Sequence, residues 1–355
     1  MNFLSRAYEF VTTPSVSRAE ARLATEIETT LRPVVHLHVD RVGDNVVAAT
    51  RGTGPRVLVA GHLDTVPGDL SRVHWDREEL TGLGAVDMKG SLAVMVELAL
   101  ETPPPGVDLT WVFYAREEVT RAESGLLELA ALRPDLLVAD VAVVGEPTGG
   151  VVEAGCQGSL RARVTLRGVA AHTARPYRGE NAIHRLGAVV ARVAAYEPRV
   201  VAIDGVDFTE QLQVVTVAGG IAANVVPDEA TCVINHRFAP DRDIASASAW
   251  LHAYLEDVLE DRDELAIEDA APAASPRLDD PRLANLVAMS GGVVRAKVGW
   301  TDVATLNELG VPAANLGAGD PELAHHPDER VTRRELDDYA TTLRAWLRVV
   351  GAGSG

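Results

Sequence analysis

The chain has 355 residues, of which 47% are hydrophobic and 24% charged. This composition supplies a packed core and argues against long disordered stretches, and because cores beyond roughly 250 residues usually divide, two folded units are expected. A formal net charge of -18 repels phosphate backbones and anionic lipid, so neither nucleic acid nor membrane is an expected partner.

The N-terminal MNFLSRAYEFVTTPSVS is amphipathic and carries Glu9, unlike the basic-then-apolar order of a secretory signal. No apolar run reaches the roughly 20 residues that cross a bilayer, so a cytoplasmic location is expected. Residues 5–12 and 17–31 have helical spacing, residues 57–60 form a short buried apolar run, and residues 90–100 predict a helix. PPPG at 103–106 is a turn, because consecutive prolines cannot continue that helix. Residues 109–115 and 141–144 predict two more buried strands. Helices alternating with short apolar strands predict an α/β fold: a mixed, mostly parallel sheet with helices on both faces.

From about Arg161 the pattern changes. RARVTLR (161–167) alternates like a half-exposed strand, 181–195 is helical, 212–217 and 230–238 are strand-like, 245–259 is helical and 265–267 a short strand. That β-α-β-β-α-β order is the ferredoxin-like one. AAPAASPRLDDP (270–281) reads as a linker, followed by a buried strand at 313–316 and an amphipathic closing helix at 333–349; the GAGSG tail is expected to fray. The predicted organisation is a catalytic domain made of residues 1–161 and 276–355, interrupted by an α+β lid at 162–275.

Cys156 and Cys232 are the only cysteines, too few and too far apart for a disulfide framework or a Cys-x-x-Cys metal pair. Any metal must therefore be held by His, Asp and Glu. The strands predicted at 57–60, 109–115, 141–144 and 313–316 are followed by His62, by Glu117 and Glu118, by Glu146, and by His325; Asp87 sits just before a predicted helix. Loops at the carboxyl ends of parallel strands gather at one edge of the sheet, so these residues converge. Imidazoles and carboxylates suit zinc, and one bridging carboxylate can serve two ions about 3.5–4 Å apart. Taken singly, a histidine after a strand is an ordinary loop residue and an adjacent glutamate pair an ordinary solvated surface; their joint placement favours ligation.

GHLDTVP (61–67), GLGAVDMKGS (82–91), the Glu117-Glu118 pair, GEPT (145–148), GVAAHTARP (168–176) and AHHPDE (324–329) together resemble the ordered motifs of the di-zinc aminoacylase and carboxypeptidase superfamily. The resemblance implies two zinc ions, replaceable by cobalt, with Asp87 bridging, His62 and Glu146 on one ion, and Glu118 and His325 on the other. It implies Glu117 as general base, Asp64 as the carboxylate that fixes a ligating imidazole, and amide hydrolysis without a covalent intermediate. It further implies a homodimer through the lid, with His172 supplied across the dimer as an oxyanion donor, and Asn224 and Arg237 as substrate contacts. Glu329, four residues after His325, selects that histidine by the family spacing; the adjacent His326 remains an alternative. So do a capping or turn role for Asp64 and a merely structural one for Asn224 and Arg237.

The segments 151–176 and 298–326 are similar, more narrowly, to the succinyl-diaminopimelate desuccinylases of high-GC Gram-positive bacteria. This implies a small-molecule acyl amino acid substrate, N-succinyl-LL-2,6-diaminopimelate, and a step of lysine and diaminopimelate biosynthesis. Arg175 and Arg237 are then candidate clamps for its carboxylates, and Thr301 and Asp302 candidate contacts, with Asp302 facing the distal ammonium. Thr301 and Asp302 serve equally well as caps of a helix from Val303. A related deacylase or dipeptidase, and a non-catalytic binding protein, remain alternatives; the latter would be expected to have lost part of the base and ligand set, which is complete here.

Overall fold

The computed structural model describes residues 3–353; Ser354 and Gly355 of the tail expected to fray lie outside the described residues, as do Met1 and Asn2. Two compact units emerge: one comprises the chain up to Gly155, Pro276–Lys297 and the chain from Thr301, and the other Cys156–Ser275 with Val298–Trp300.

The first unit is built on an eight-stranded sheet in the order His38–Val42, Asn45–Ala49, Asp108–Tyr114, Arg56–His62, Val141–Val144, Ala313–Asn315, Val152–Cys156, Val294–Lys297. Arg56–His62 runs parallel to both neighbours, and Ala313–Asn315 runs parallel to Val141–Val144. Val57 to Ala60 and Val141 to Val144 are wholly buried, as strands covered on both faces must be. Each valine or leucine among them contributes about 1.5–3 kcal/mol relative to exposure. The helix Gly90–Ala99 is apolar nearly all round, and of its ten residues only Glu97 escapes burial. It can be stable only between other layers, and it packs beside the helices Phe3–Thr12 and Arg333–Ala352. The closing helix begins with a capping box, Thr332 and Glu335 satisfying each other's backbone amides.

The register positions the site. His62 pairs with Tyr114, and Ala60 with Val144, so the residues that follow each strand leave the sheet at the same edge.

In the second unit a four-stranded antiparallel sheet has the order Gln211–Gly219, Glu229–Phe238, Gly158–Arg167, Glu264–Ala271, the ferredoxin-like arrangement. Along Gly158–Arg167 the residues Leu160, Ala162, Val164 and Leu166 alternate inward and are fully buried. The helices Ala182–Ala194 and Ile244–Leu255 supply the other apolar face, capped by Asn181 and by an Asp243–Ser246 capping box. A hairpin, Val200–Ile203 with Val206–Thr209, is added to the expected order.

Other elements differ from the sequence expectation at their ends. The second helix starts at Ala21 rather than residue 17, because Arg18 adopts φ 74° where the chain turns. The strand expected at 265–267 extends over Glu264–Ala271, carried by its pairing with Gly158–Arg167.

Candidate active site

His62 ends its strand 1% exposed. Its Nδ1 lies 3.0 Å from the Asp64 backbone oxygen, which makes Nδ1 a proton-bearing nitrogen and turns Nε2 toward the cluster. Nε2 lies 3.0 Å from Asp87 Oδ1 and 3.8 Å from Glu146 Oε1. Asp87 Oδ2 lies 3.5 Å from His325 Nε2, which also meets Glu118 Oε1 at 2.8 Å. Asp87 thus shares its two oxygens between two imidazoles. His62, Asp87 and Glu146, and separately Asp87, Glu118 and His325, place ligand atoms within 4.8 Å of one another.

The charges call for a cation. Burial, with Asp87 close by, pushes Glu146 up to about 7. Burial, with Glu146 beside it, pushes Glu117 well above the usual carboxylate range. Burial also acts to raise Asp87, but hydrogen bonds with His325 and His62 hold it well below. Hydrogen bonds to Asp87 and Glu118 raise His325 to about 10. So many carboxylates in one desolvated space need protons or metal ions, and an all-nitrogen-and-oxygen donor set fits zinc. Glu117 forms a further trio with His62 and Glu118, so its position is compatible with ligation as well as with proton transfer.

The turns that carry these ligands are held by buried acids. Asp64, fully buried, accepts hydrogen bonds from the backbone N–H groups of Glu117 and Glu118, both at 3.0 Å, and from Ser17 Oγ at 2.7 Å. Its carboxylate stands 3.6 Å from His62 Nδ1, so it anchors the Glu117–Glu118 turn more closely than it touches the imidazole. Glu20 accepts from Arg116 N at 3.0 Å, and Glu329 from Val86 N and Asp87 N at 2.8 and 3.0 Å. The sequence reading missed these anchoring roles; Glu329 served there only as a spacing mark. His325 adopts φ 62°, a conformation uncommon outside glycine, as it turns into the cluster. His326 instead accepts from Asp328 N through Nδ1 at 3.1 Å.

Thr301 and Asp302 are both buried. Thr301 Oγ1 donates to Asn315 Oδ1 at 3.0 Å. Asp302 stands at the N-cap of the helix Val303–Glu308, yet its side chain caps no backbone amide and accepts from Thr305 Oγ1 at 2.6 Å. Burial raises the Asp302 pKa, opposed by Thr305 and by the Tyr114 hydroxyl.

The remaining candidates belong to the second unit. His172 Nδ1 accepts from Ala174 N at 3.0 Å, which leaves Nε2 as the proton-bearing nitrogen on an exposed ring. The short Ala171–His172 strand pairs with Val225–Val226, and Thr173 N donates to the Asn224 backbone oxygen at 3.1 Å. Arg175 N donates to the His172 oxygen at 2.7 Å, so His172, Arg175 and Asn224 lie together. Arg237, half-buried on Glu229–Phe238, has no carboxylate partner among the described residues, and burial lowers its pKa.

Parallel strands that deliver two imidazoles and a set of carboxylates to one edge define a metal-dependent hydrolase architecture. Residues 58–352 match Peptidase family M20/M25/M40, and the chain belongs to that family. It is 42% identical to the succinyl-diaminopimelate desuccinylase of Corynebacterium glutamicum, over 94% of this chain and 93% of the other. A Mycobacterium tuberculosis protein to which the same activity is provisionally given is 48% identical over 94% of each chain. Among solved structures, a Staphylococcus aureus tripeptidase superposes with a TM-score of 0.83 at 21% identity, covering 99% of this chain and 98% of that one. A dinuclear metal-binding peptidase of Bacillus subtilis superposes with a TM-score of 0.72 at 15% identity, covering 98% and 97%. At these identities the structural likeness is one of fold.

Proposed function

We propose that the protein hydrolyses N-succinyl-LL-2,6-diaminopimelate to LL-2,6-diaminopimelate and succinate, a step of diaminopimelate and lysine biosynthesis, with two zinc ions held by His62, Asp87, Glu118, Glu146 and His325. The observation that carries the two-ion reading is the division of the Asp87 carboxylate between His62 and His325. The substrate reading rests on the corynebacterial relative, which matches nearly the whole chain.

When bound, the ions supply Lewis-acid polarisation of the amide carbonyl and of the attacking water. Glu117, beside the ligand-bearing Glu118, takes a proton from that water and passes it to the leaving amine. Asp64 fixes the turn on which this proton carrier sits. The Nε2–H of His172, contributed by a second copy of the chain, donates to the oxyanion. Arg237, free of any carboxylate partner among the described residues, and Arg175 receive substrate carboxylates, with Asn224, Thr301 and Asp302 completing the contacts. No described helix is long and apolar enough to span a membrane, and the proposed site of action is the cytoplasm.

The test is a comparison of rates on succinyl-diaminopimelate, N-acetylornithine and a dipeptide, with zinc-loaded and chelator-treated protein. The succinyl substrate should be turned over fastest, and only by loaded protein. A faster rate on either other substrate would reassign the specificity, and full activity after chelation would remove the metal reading.

A further inference from the structure

The edge strand Val294–Lys297 carries two cations on one face, because side chains two apart on a strand point the same way. Charged residues on an edge strand ordinarily face solvent. Lys297 does the opposite, its side chain 11% exposed. Its Nζ lies 3.2 Å from Glu153 Oε2, donates to the Pro147 oxygen at 3.3 Å, and stands 3.9 Å from Glu146 Oε2. Arg295 reaches the other oxygen of Glu153 at 2.9 Å and donates to the Thr148 oxygen at 2.9 Å.

Residues 145–148 have no regular secondary structure, although all four are buried. Gly145 N donates to the Ala60 oxygen at one end, and Thr148 Oγ1 meets Gly317 at the other. Between these ends, the Glu146 carboxylate and the carbonyls of Pro147 and Thr148 are all met by Arg295 or Lys297. Neutralising Glu153 would need one cation, and Arg295 supplies it. The second is explained by Glu146: with Oε2 turned to the ammonium, Oε1 is left facing His62 Nε2 at 3.8 Å.

We infer that Arg295 and Lys297 form a two-cation clamp, centred on Glu153, which presets Glu146 as a one-oxygen ligand of the ion it shares with His62. Both are positioning residues, and the inference rests on the two-ion reading above. Partners behind metal ligands typically change metal affinity by about 10–100-fold when removed. Lys297→Met should therefore weaken one of two zinc-binding events by about that factor and leave the other unchanged.

The experiment is calorimetric titration of zinc into the metal-free full chain, repeated with cobalt and read by its absorption spectrum, beside the melting temperature of the metal-free protein. Wild type should bind two ions, Lys297→Met should lose affinity at one, and Lys297→Arg should restore it. Glu153→Gln with Lys297→Met, which removes the Glu153 charge together with the ammonium, should show the same selective loss. Unchanged or tighter binding at both sites would overturn the clamp, as would equal weakening at both together with a lowered melting temperature in the double variant. A wild type that binds a single ion would instead overturn the two-ion reading, and the clamp with it.

Discussion

Glu117 and Glu118 are neighbours in sequence with different surroundings: Glu118 Oε1 meets His325 at 2.8 Å, whereas Glu117 has its pKa raised by burial and by Glu146. Glu117→Gln should keep metal content intact and lower turnover at least about a hundredfold, since an amide cannot carry the proton; metal analysis beside steady-state rates checks both halves. A second titration belongs to the second unit. His236 is fully buried against Trp250, their ring centroids 4.6 Å apart, and neither nitrogen has a hydrogen-bond partner among the described residues. Burial lowers its pKa to about 4, with Glu210 opposing and Arg242 and Arg199 adding to the shift. The unfolded chain therefore binds the extra proton first, near pH 6.5, so this contribution is complete above that pH and is lost as pH falls toward 4. The loss amounts to about 3 kcal/mol at 1.36 kcal/mol per unit. His236→Phe should flatten the fall in urea-unfolding midpoint between pH 7 and 4.5; an unchanged fall would remove His236 from the account. His62 and Glu146 were legible because each follows an apolar strand. Glu20, Glu329, Arg295 and Lys297 were not, since their roles arise from contacts far apart along the chain that no local pattern announces.

The loop after Val141–Val144 shows how an element depends on a glycine elsewhere. A Cβ on Gly317 would lie 2.3 Å from the Gly145 oxygen and 2.4 Å from the Glu146 oxygen. Gly317→Ala must push the Glu146 segment aside, costing about 1–3 kcal/mol as overpacking does, and should weaken zinc binding in calorimetry. Thr332→Ala removes half of the capping box of Arg333–Ala352 and should cost about 1 kcal/mol in unfolding experiments while zinc affinity stays at the wild-type value. The pair separates displacement of a ligand from general loss of stability. Long periodic or wholly apolar segments, such as Gly90–Ala99 and Val141–Val144, were readable as helix and strand because burial leaves a regular pattern. The hairpin of His38–Val42 and Asn45–Ala49 and the edge strand Val294–Lys297 were missed: they are short, and what makes them strands is their neighbours in the sheet.

At the scale of the whole molecule, one sheet edge in the second unit calls for a partner. Gln211–Gly219 is an edge strand whose later residues are exposed, with Val215 at 54%, Val217 at 58% and nearby Ile221 at 82%. Exposed apolar edges invite pairing, and the same edge of a second copy would cover this one symmetrically. The proposed homodimer would also explain why His172 presents a free Nε2–H on an exposed ring. Removing an oxyanion donor typically costs about a hundredfold to a thousandfold in turnover, so His172→Ala, like Glu117→Gln, should be nearly inactive alone. Mixing the two variants and letting subunits exchange brings an intact Glu117 from one together with an intact His172 from the other. Random pairing makes half of the dimers mixed, each with one complete site, so activity should return to about a quarter of the wild-type value. The measurement needs mass analysis to establish that mixed dimers form. If they form and the mixture stays inactive, His172 acts within its own subunit or takes no part, and the exchanged-donor proposal fails while the metal site stands.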